Sequence, residues 1–344
     1  MRAMSDTSVT MVVNEPRGAV RTATGTPAPP AAQWVRVSVT ASAVCNADIA
    51  TAAATGPGTV FPVTPGHEVA GVIAEVGDQV EGWSVGDRVA VGWFGGSCGH
   101  CSFCRTGDVV HCPERKVPGL SYPGGWAQSI TVPVDALARV PDELDLFDAA
   151  PFGCAGVTTF NAVRKARIRA GGRVAVFGIG GLGHLAVQFA AGLGYEAVAI
   201  ARGAERGPLS RELGARHYID SDAHAPGAAL KELGGADLIV YTASSTAPVN
   251  ELLTGLNTHG RLTLVGVDAG SVTVPAAQLV MNAHTVTGHL TGSAQETEQA
   301  MQFAVTNDIR PMTERMPLEQ AGDAVTRLRS GAPRFRIVLD AGGE

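Results

Sequence analysis

Short apolar runs, punctuated by glycine and proline, fill residues 1 to about 150. Val35-Arg36-Val37-Ser38-Val39 alternates apolar and polar side chains with a period of two. Val69 to Val76 and Arg88 to Trp93 are further apolar runs bounded by turn signals. Together they read as an irregular, mostly β domain. The pattern changes near Asp148. Ala149 to Ala166 reads as helix, Arg173 to Phe177 as strand, Leu182 to Leu193 as helix and Ala197 to Ala201 as strand. Leu209 to Leu213 and Val249 to Leu256 follow as helices, with Asp237 to Tyr241 and Arg261 to Val267 as strands. Strands alternating with helices predict right-handed βαβ units and a parallel sheet covered on both faces. A polar helix at Ala294 to Thr306 and a strand at Phe335 to Leu339 follow, and no internal repeat or heptad array is present.

The chain has 344 residues, which at roughly 150 per domain predicts two domains. Hydrophobic residues make up 45% and charged residues 17%, too few charges for a solvated, disordered chain. The net charge of −6 and the lack of a long basic run argue against nucleic acid as the main partner. The most apolar segment, Leu185 to Arg202, is interrupted by Gln188, Gly192, Gly194 and Glu196, so no membrane span is expected. The first residues lack a basic start followed by an apolar core. A soluble cytoplasmic protein is the expectation, and its six cysteines then need an explanation other than stable disulfides.

Four of them, Cys98, Cys101, Cys104 and Cys112, follow the spacing C-x2-C-x2-C-x7-C among several glycines. Such spacing lets a backbone knuckle present four thiolates to one tetrahedral zinc, a closed set with a structural role. An iron–sulfur cluster is the rival, because Cys112-Pro113 echoes the end of one cluster motif. Cys45 and Cys154 taken singly read as small buried hydrophobes. With His67 they form a two-cysteine, one-histidine set that leaves a fourth zinc position open.

Gly178-Ile179-Gly180-Gly181-Leu182-Gly183 matches G-x-G-x-x-G after a predicted strand and before a predicted helix. Gly178 makes the turn, Gly180 lets backbone approach a pyrophosphate and Gly183 packs helix on strand. The next strand ends in Ala201-Arg202-Gly203, with Arg206 close behind and no acid at the strand end to read a ribose 2′-hydroxyl. NADP is therefore expected over NAD, with Arg202 and Arg206 toward the 2′-phosphate, or else Arg202 stacked on adenine. Val267, ending its strand, completes the candidate cofactor set.

In this order, Cys45 with Asp48, Gly66-His67-Glu68, the four-cysteine lobe, Cys154-Ala155-Gly156-Val157-Thr158 and the Gly178 loop resemble the zinc-containing medium-chain alcohol dehydrogenases. The resemblance spans nearly the whole chain. It implies an α/β plus β architecture: a GroES-like catalytic domain at 1–150 and 288–344 with a Rossmann domain inserted at 151–287. It implies catalytic zinc on Cys45, His67 and Cys154, with Glu68 an alternate ligand or a partner behind the ligands. Asp48 would orient His67, and Thr158 would touch the nicotinamide end. Trp93 and Phe94 are either substrate-pocket walls or core aromatics. Two zinc ions per chain and a homodimer or homotetramer follow by analogy, with the apolar strand near Thr285 to Leu290 at the interface.

One departure from the family bears on the chemistry. The relay hydroxyl expected two residues after the first cysteine is Ala47, the histidine expected three later is Ala50, and Asn46 stands where a cation often meets the pyrophosphate. General acid–base help is worth about 10²- to 10⁴-fold, so its loss weighs on alcohol oxidation. The leading expectation is a zinc-dependent, NADP-preferring alcohol dehydrogenase or carbonyl reductase. Reduction of a C=N or conjugated C=C bond is the first alternative, and a non-enzymatic NADP-binding protein or an interaction module built on the lobe are others. The loops Thr51 to Val60, with Gly56-Pro57-Gly58, and Leu120 to Gly125 would shape the pocket for a small-molecule substrate.

Overall fold

The computed structural model describes residues 7–55, 60–266 and 270–343. Contacts divide the chain into two units: Met1–Val157 with Thr291–Val305 and Pro311–Glu344, and Thr158–Leu290 with Thr306–Arg310.

The first unit is built on a seven-stranded sheet. Its path runs Thr313–Pro317, Arg336–Asp340, Trp34–Ala43, Val69–Val76, Arg88–Val91, Leu137–Arg139, and Ser129–Pro133 pairs with Trp34–Ala43. In Trp34–Ala43 every second residue is buried over the first eight, as a strand with one covered face requires. Val35, Val37 and Val39 thereby meet Val69, Ile73, Val89 and Trp126 in one core. The strand ends matter for function. Ala43 N–H donates to Glu68 O at 2.8 Å and Val44 N–H to Ile337 O at 2.9 Å, so three distant segments end side by side.

The second unit is a six-stranded parallel sheet in the order His217–Asp220, Glu196–Ala201, Arg173–Phe177, Ala236–Tyr241, Leu256–Leu264, Thr285–Gly288. This is the doubly wound 3-2-1-4-5-6 order, whose switch point lies beside the first strand. Val198, Ile200, Ile239, Tyr241 and Leu262 form its core. Helix Gly183–Gly192 buries Leu185, Val187 and Phe189.

The helix expected over Ala149–Ala166 is in fact three pieces: Leu146–Ala149, a 3-10 turn Ala150–Gly153, and Ala155–Arg164. Pro151 lacks the N–H a helix interior needs and disfavours helical backbone before it. Cys154 falls in the break at φ −136°, ψ −70°. The strand expected at Arg261–Val267 runs earlier, over Leu256–Leu264, because its pairing with Ala236–Tyr241 starts at Leu256. Val267 and the loop Gly56-Pro57-Gly58 lie outside the described residues. Among the described residues no helix is long and apolar enough to cross a membrane.

Candidate active site

Cys45, His67, Glu68 and Cys154 each bring one ligand atom to within 4.8 Å of the others. Cys45 precedes helix Asn46–Ala53 in extended conformation, and its N–H donates to Asp48 Oδ2 at 2.9 Å. Asp48 Oδ1 accepts from Gly66 N–H at 3.0 Å and from His67 Nδ1 at 2.7 Å. One buried carboxylate thus fixes two prospective ligands at once. Gly66 has φ +109°, and a Cβ there would lie 2.6 Å from Trp126, so only glycine turns the chain into His67. The broken helix then supplies Cys154 from the opposite side of the sequence.

The donor set suits zinc. His67 is 2% exposed, and with Nδ1 held by Asp48 its Nε2 is buried without a hydrogen-bond partner. An orphaned imidazole nitrogen beside two thiols is what a metal ligand looks like before the metal is counted. The hydrogen bond from Cys154 and the charge of His67 hold the Cys45 thiol well below its ordinary range, against its burial. Cys154, half-buried and hydrogen-bonded to that thiolate, is pushed up correspondingly by this bond and by its desolvation. Burial works against a charged His67, yet the Asp48 carboxylate outweighs it and raises the imidazole. Burial raises the Glu68 carboxyl to about 7, although the Arg336 guanidinium opposes the rise.

Arg336 is the residue that the sequence reading missed. It is 3% exposed and pairs with Glu68 Oε2, leaving Glu68 Oε1 buried without a hydrogen-bond partner. Its signal was a single cation inside the apolar run Phe335 to Leu339, 268 residues from its partner.

The second cluster is Cys98, Cys101, Cys104 and Cys112, again within 4.8 Å. Cys98 and Cys104 sulfurs are 3.9 Å apart, and those of Cys101 and Cys104 3.5 Å. A tetrahedron with about 2.3 Å zinc–sulfur bonds has edges of about 3.8 Å, so the pocket has the size of one ion. Cys101 N–H points at Cys98 Sγ (3.4 Å) and Cys104 N–H at Cys101 Sγ (3.5 Å), the knuckle the spacing predicts. All six cysteines are free of disulfides.

The glycine loop joins strand Arg173–Phe177 to helix Gly183–Gly192, with Gly178, Gly180, Gly181 and Leu182 ahead of the helix. A Cβ on Gly183 would meet Gly178 O at 1.8 Å, which explains the third glycine by close packing. Arg202 is exposed and makes no hydrogen bond or ion pair among the described residues. Arg206 is engaged: its Nη1 donates to Ile179 O at 2.9 Å. The strand end also needs correcting. The sequence offers no acid there, but strand pairing brings Asp220 beside it, where Oδ1 accepts from Gly203 N–H at 2.9 Å, and Glu205 folds over Gly203. Thr158 is buried at 2% exposure on helix Ala155–Arg164. Ala47 is half-buried, Phe94 is buried, and half-buried Trp93 carries the Arg115 guanidinium 5.6 Å above its ring. The Leu120–Gly125 segment is pinned by Tyr122 Oη, which donates to Gly95 O at 2.9 Å.

Residues 31–142 match the alcohol dehydrogenase GroES-like domain and residues 181–306 the zinc-binding dehydrogenase domain. The chain is 39% identical over 303 residues to alcohol dehydrogenase notN of Aspergillus sp., covering 88% of this chain and 89% of that one. The chain belongs to the zinc-containing medium-chain alcohol dehydrogenase family. This dehydrogenase is also 34% identical over 307 residues to NADP-dependent alcohol dehydrogenase C 1 of Mycolicibacterium smegmatis, covering 86% and 87%. Among solved structures, a cinnamyl alcohol dehydrogenase (SbCAD4) of Sorghum bicolor superposes with a TM-score of 0.90 at 28% identity, over 98% of this chain and 99% of that one. It is an oxidoreductase of the alcohol dehydrogenase type that uses zinc and a nicotinamide cofactor.

Proposed function

We propose that this dehydrogenase transfers a hydride between NADP(H) and an alcohol, aldehyde or ketone, at a zinc held by Cys45, His67 and Cys154. The observation that carries the site assignment is His67 Nε2, buried and unpartnered beside two thiols. Bound there, zinc supplies Lewis-acid polarisation of the substrate oxygen. The nicotinamide supplies or accepts the hydride. The chain's own part is positional. Asp48 fixes the tautomer and direction of His67 and ties down Cys45. The Cys45 and Cys154 thiols give up their protons to become ligands. Arg336 holds Glu68 behind the ligands, and Thr158 borders the nicotinamide end. Cys98, Cys101, Cys104 and Cys112 hold a second, structural zinc.

The preference for NADP rests on Arg202, exposed and uncommitted at the end of strand Glu196–Ala201. Measuring kcat/KM with each cofactor tests it: an NADP advantage of tenfold or more, on the order of one good charge-assisted contact, is expected. A preference for NAD would sink it.

A second reading, reduction of a C=N or conjugated C=C bond, is favoured by Ala47 and Ala50, which can pass no proton. In the alcohol reading the proton must leave through water or the cofactor ribose. Ala47→Ser restores a hydroxyl, so alcohol oxidation should rise by about tenfold or more if a missing relay limits it. No rise would remove the relay argument. A panel of alcohols, aldehydes, enals and cyclic imines with NADP and NADPH separates the two reactions.

A homodimer completes the proposal. Thr285–Gly288 is the last strand of the parallel sheet, and Val280 and Met281 on the adjoining helix are 78% and 80% exposed. An unpaired strand edge beside exposed apolar side chains suits a second copy of this chain.

A further inference from the structure

In the sequence Arg202 and Arg206 share one task; in the structure they part. Arg206 ends the short turn Ala204–Arg206 at the start of helix Gly207–Glu212, and its Nη1 reaches back 27 residues to Ile179 O. Ile179 lies inside the glycine loop and is 3% exposed. Its carbonyl and the Gly180 N–H belong to one planar, trans peptide unit, so the two point in opposite directions. Holding the carbonyl on one side aims the Gly180 N–H to the other. The next peptide is held in the same fashion. Gly180 O accepts from His184 N–H at 3.1 Å and from His184 Nδ1 at 2.9 Å, which directs the Gly181 N–H. A Cβ built on Gly180 would meet nothing within 4 Å, so no side chain crowds the loop at this glycine. Two successive N–H groups are thus given fixed directions ahead of a ten-residue helix, whose N-terminus favours an anion.

The turn that carries Arg206 is itself braced. Tyr218 Oη donates to Ala201 O at 3.1 Å and to Gly203 O, and Asp220 Oδ1 accepts from Gly203 N–H. Ser221 N–H donates to Ala201 O at 3.0 Å. Arg206 thus links a rigid turn to the pyrophosphate loop.

We propose that Arg206 is a positioning residue for the glycine loop, serving NAD and NADP alike, and that recognition of a 2′-phosphate falls to Arg202. The inference rests on the nicotinamide-dependent reading and is independent of which cofactor is preferred. The test uses the full zinc-loaded chain with NADP, NAD and ADP, read by calorimetry and by steady-state kinetics. Arg206→Ala should weaken all three ligands by one common factor, about tenfold, with the kinetic loss in KM rather than kcat. Arg206→Lys, which keeps a long donor, should recover most of the loss, and its melting temperature reports folding independently. Arg202→Ala should weaken NADP selectively. A loss confined to NADP in the Arg206 variants would make Arg206 a phosphate ligand and overturn the assignment. Unchanged affinity for all three ligands would also overturn it. A uniform loss in an enzyme that prefers NAD would support Arg206 as loop brace and remove only the NADP preference.

Discussion

Asp48 concentrates the logic of the site in one side chain. It is 1% exposed and spends its carboxylate on Cys45 N–H, Gly66 N–H and His67 Nδ1. Replacing it with Asn keeps the volume but loses the charge that favours a correctly oriented imidazole. Zinc affinity of Asp48→Asn should fall about 10- to 100-fold in chelator competition, with the four-cysteine lobe keeping its ion. Equal retention at both sites would show that Asp48 is idle. The pairing of Asp48 with His67 was expected from the family resemblance, which both residues carry in Cys45 with Asp48 and Gly66-His67-Glu68. Arg336 was not, because only the strand register that sets Ile337 against Val44 brings it to Glu68. The same reason hid Asp220: its place beside Gly203 follows from pairing with Ala201, not from any local spacing.

At the level of elements, local signals were legible and non-local ones were not. Strand Arg173–Phe177 and helix Ala294–Thr306 were read with their true limits, since each carries an unbroken period. The helix around Cys154 was read as continuous although Pro151 interrupts it, and the interruption is what frees Cys154 to face Cys45. An ion-pair network ties the lower ends of three parallel strands. Arg173 Nη2 donates to both Glu196 oxygens at 3.1 Å, and His217 Nε2 lies 2.8 Å from Glu196 Oε1. Partial burial disfavours the charged carboxylate, but these two partners win and hold Glu196 below the ordinary value of 4.5. A carboxyl depressed in the folded state stabilises fully above 4.5, and that contribution disappears as acid titrates the folded group. Glu196→Gln should therefore melt about 2–4 °C lower at pH 7, with the gap to the parent enzyme closing below pH 4.5. A gap that stays constant with pH would assign the effect to packing instead.

For the whole molecule, the two-domain composition and the order of motifs were plain from the sequence, because cysteine spacing and the glycine loop are local. The face proposed for assembly is less plain, since the exposure of Val280 and Met281 is seen only in the folded chain. If the proposed homodimer forms through this face, Met281→Glu combined with Val280→Lys should lower the mass in sedimentation velocity to that of one chain; an unchanged mass would move the proposed interface elsewhere. The architecture gathers two thiols far apart in sequence, Cys45 and Cys154, around one imidazole. Zinc content and hydride transfer, measured together in the parent enzyme and in Cys154→Ser, test that convergence most directly. Two zinc ions per chain in the parent, one in the variant, and a loss of hydride transfer of about 100-fold or more are predicted. A variant that keeps both ions and its turnover, or an active parent with a single ion in the four-cysteine lobe, would contradict the account.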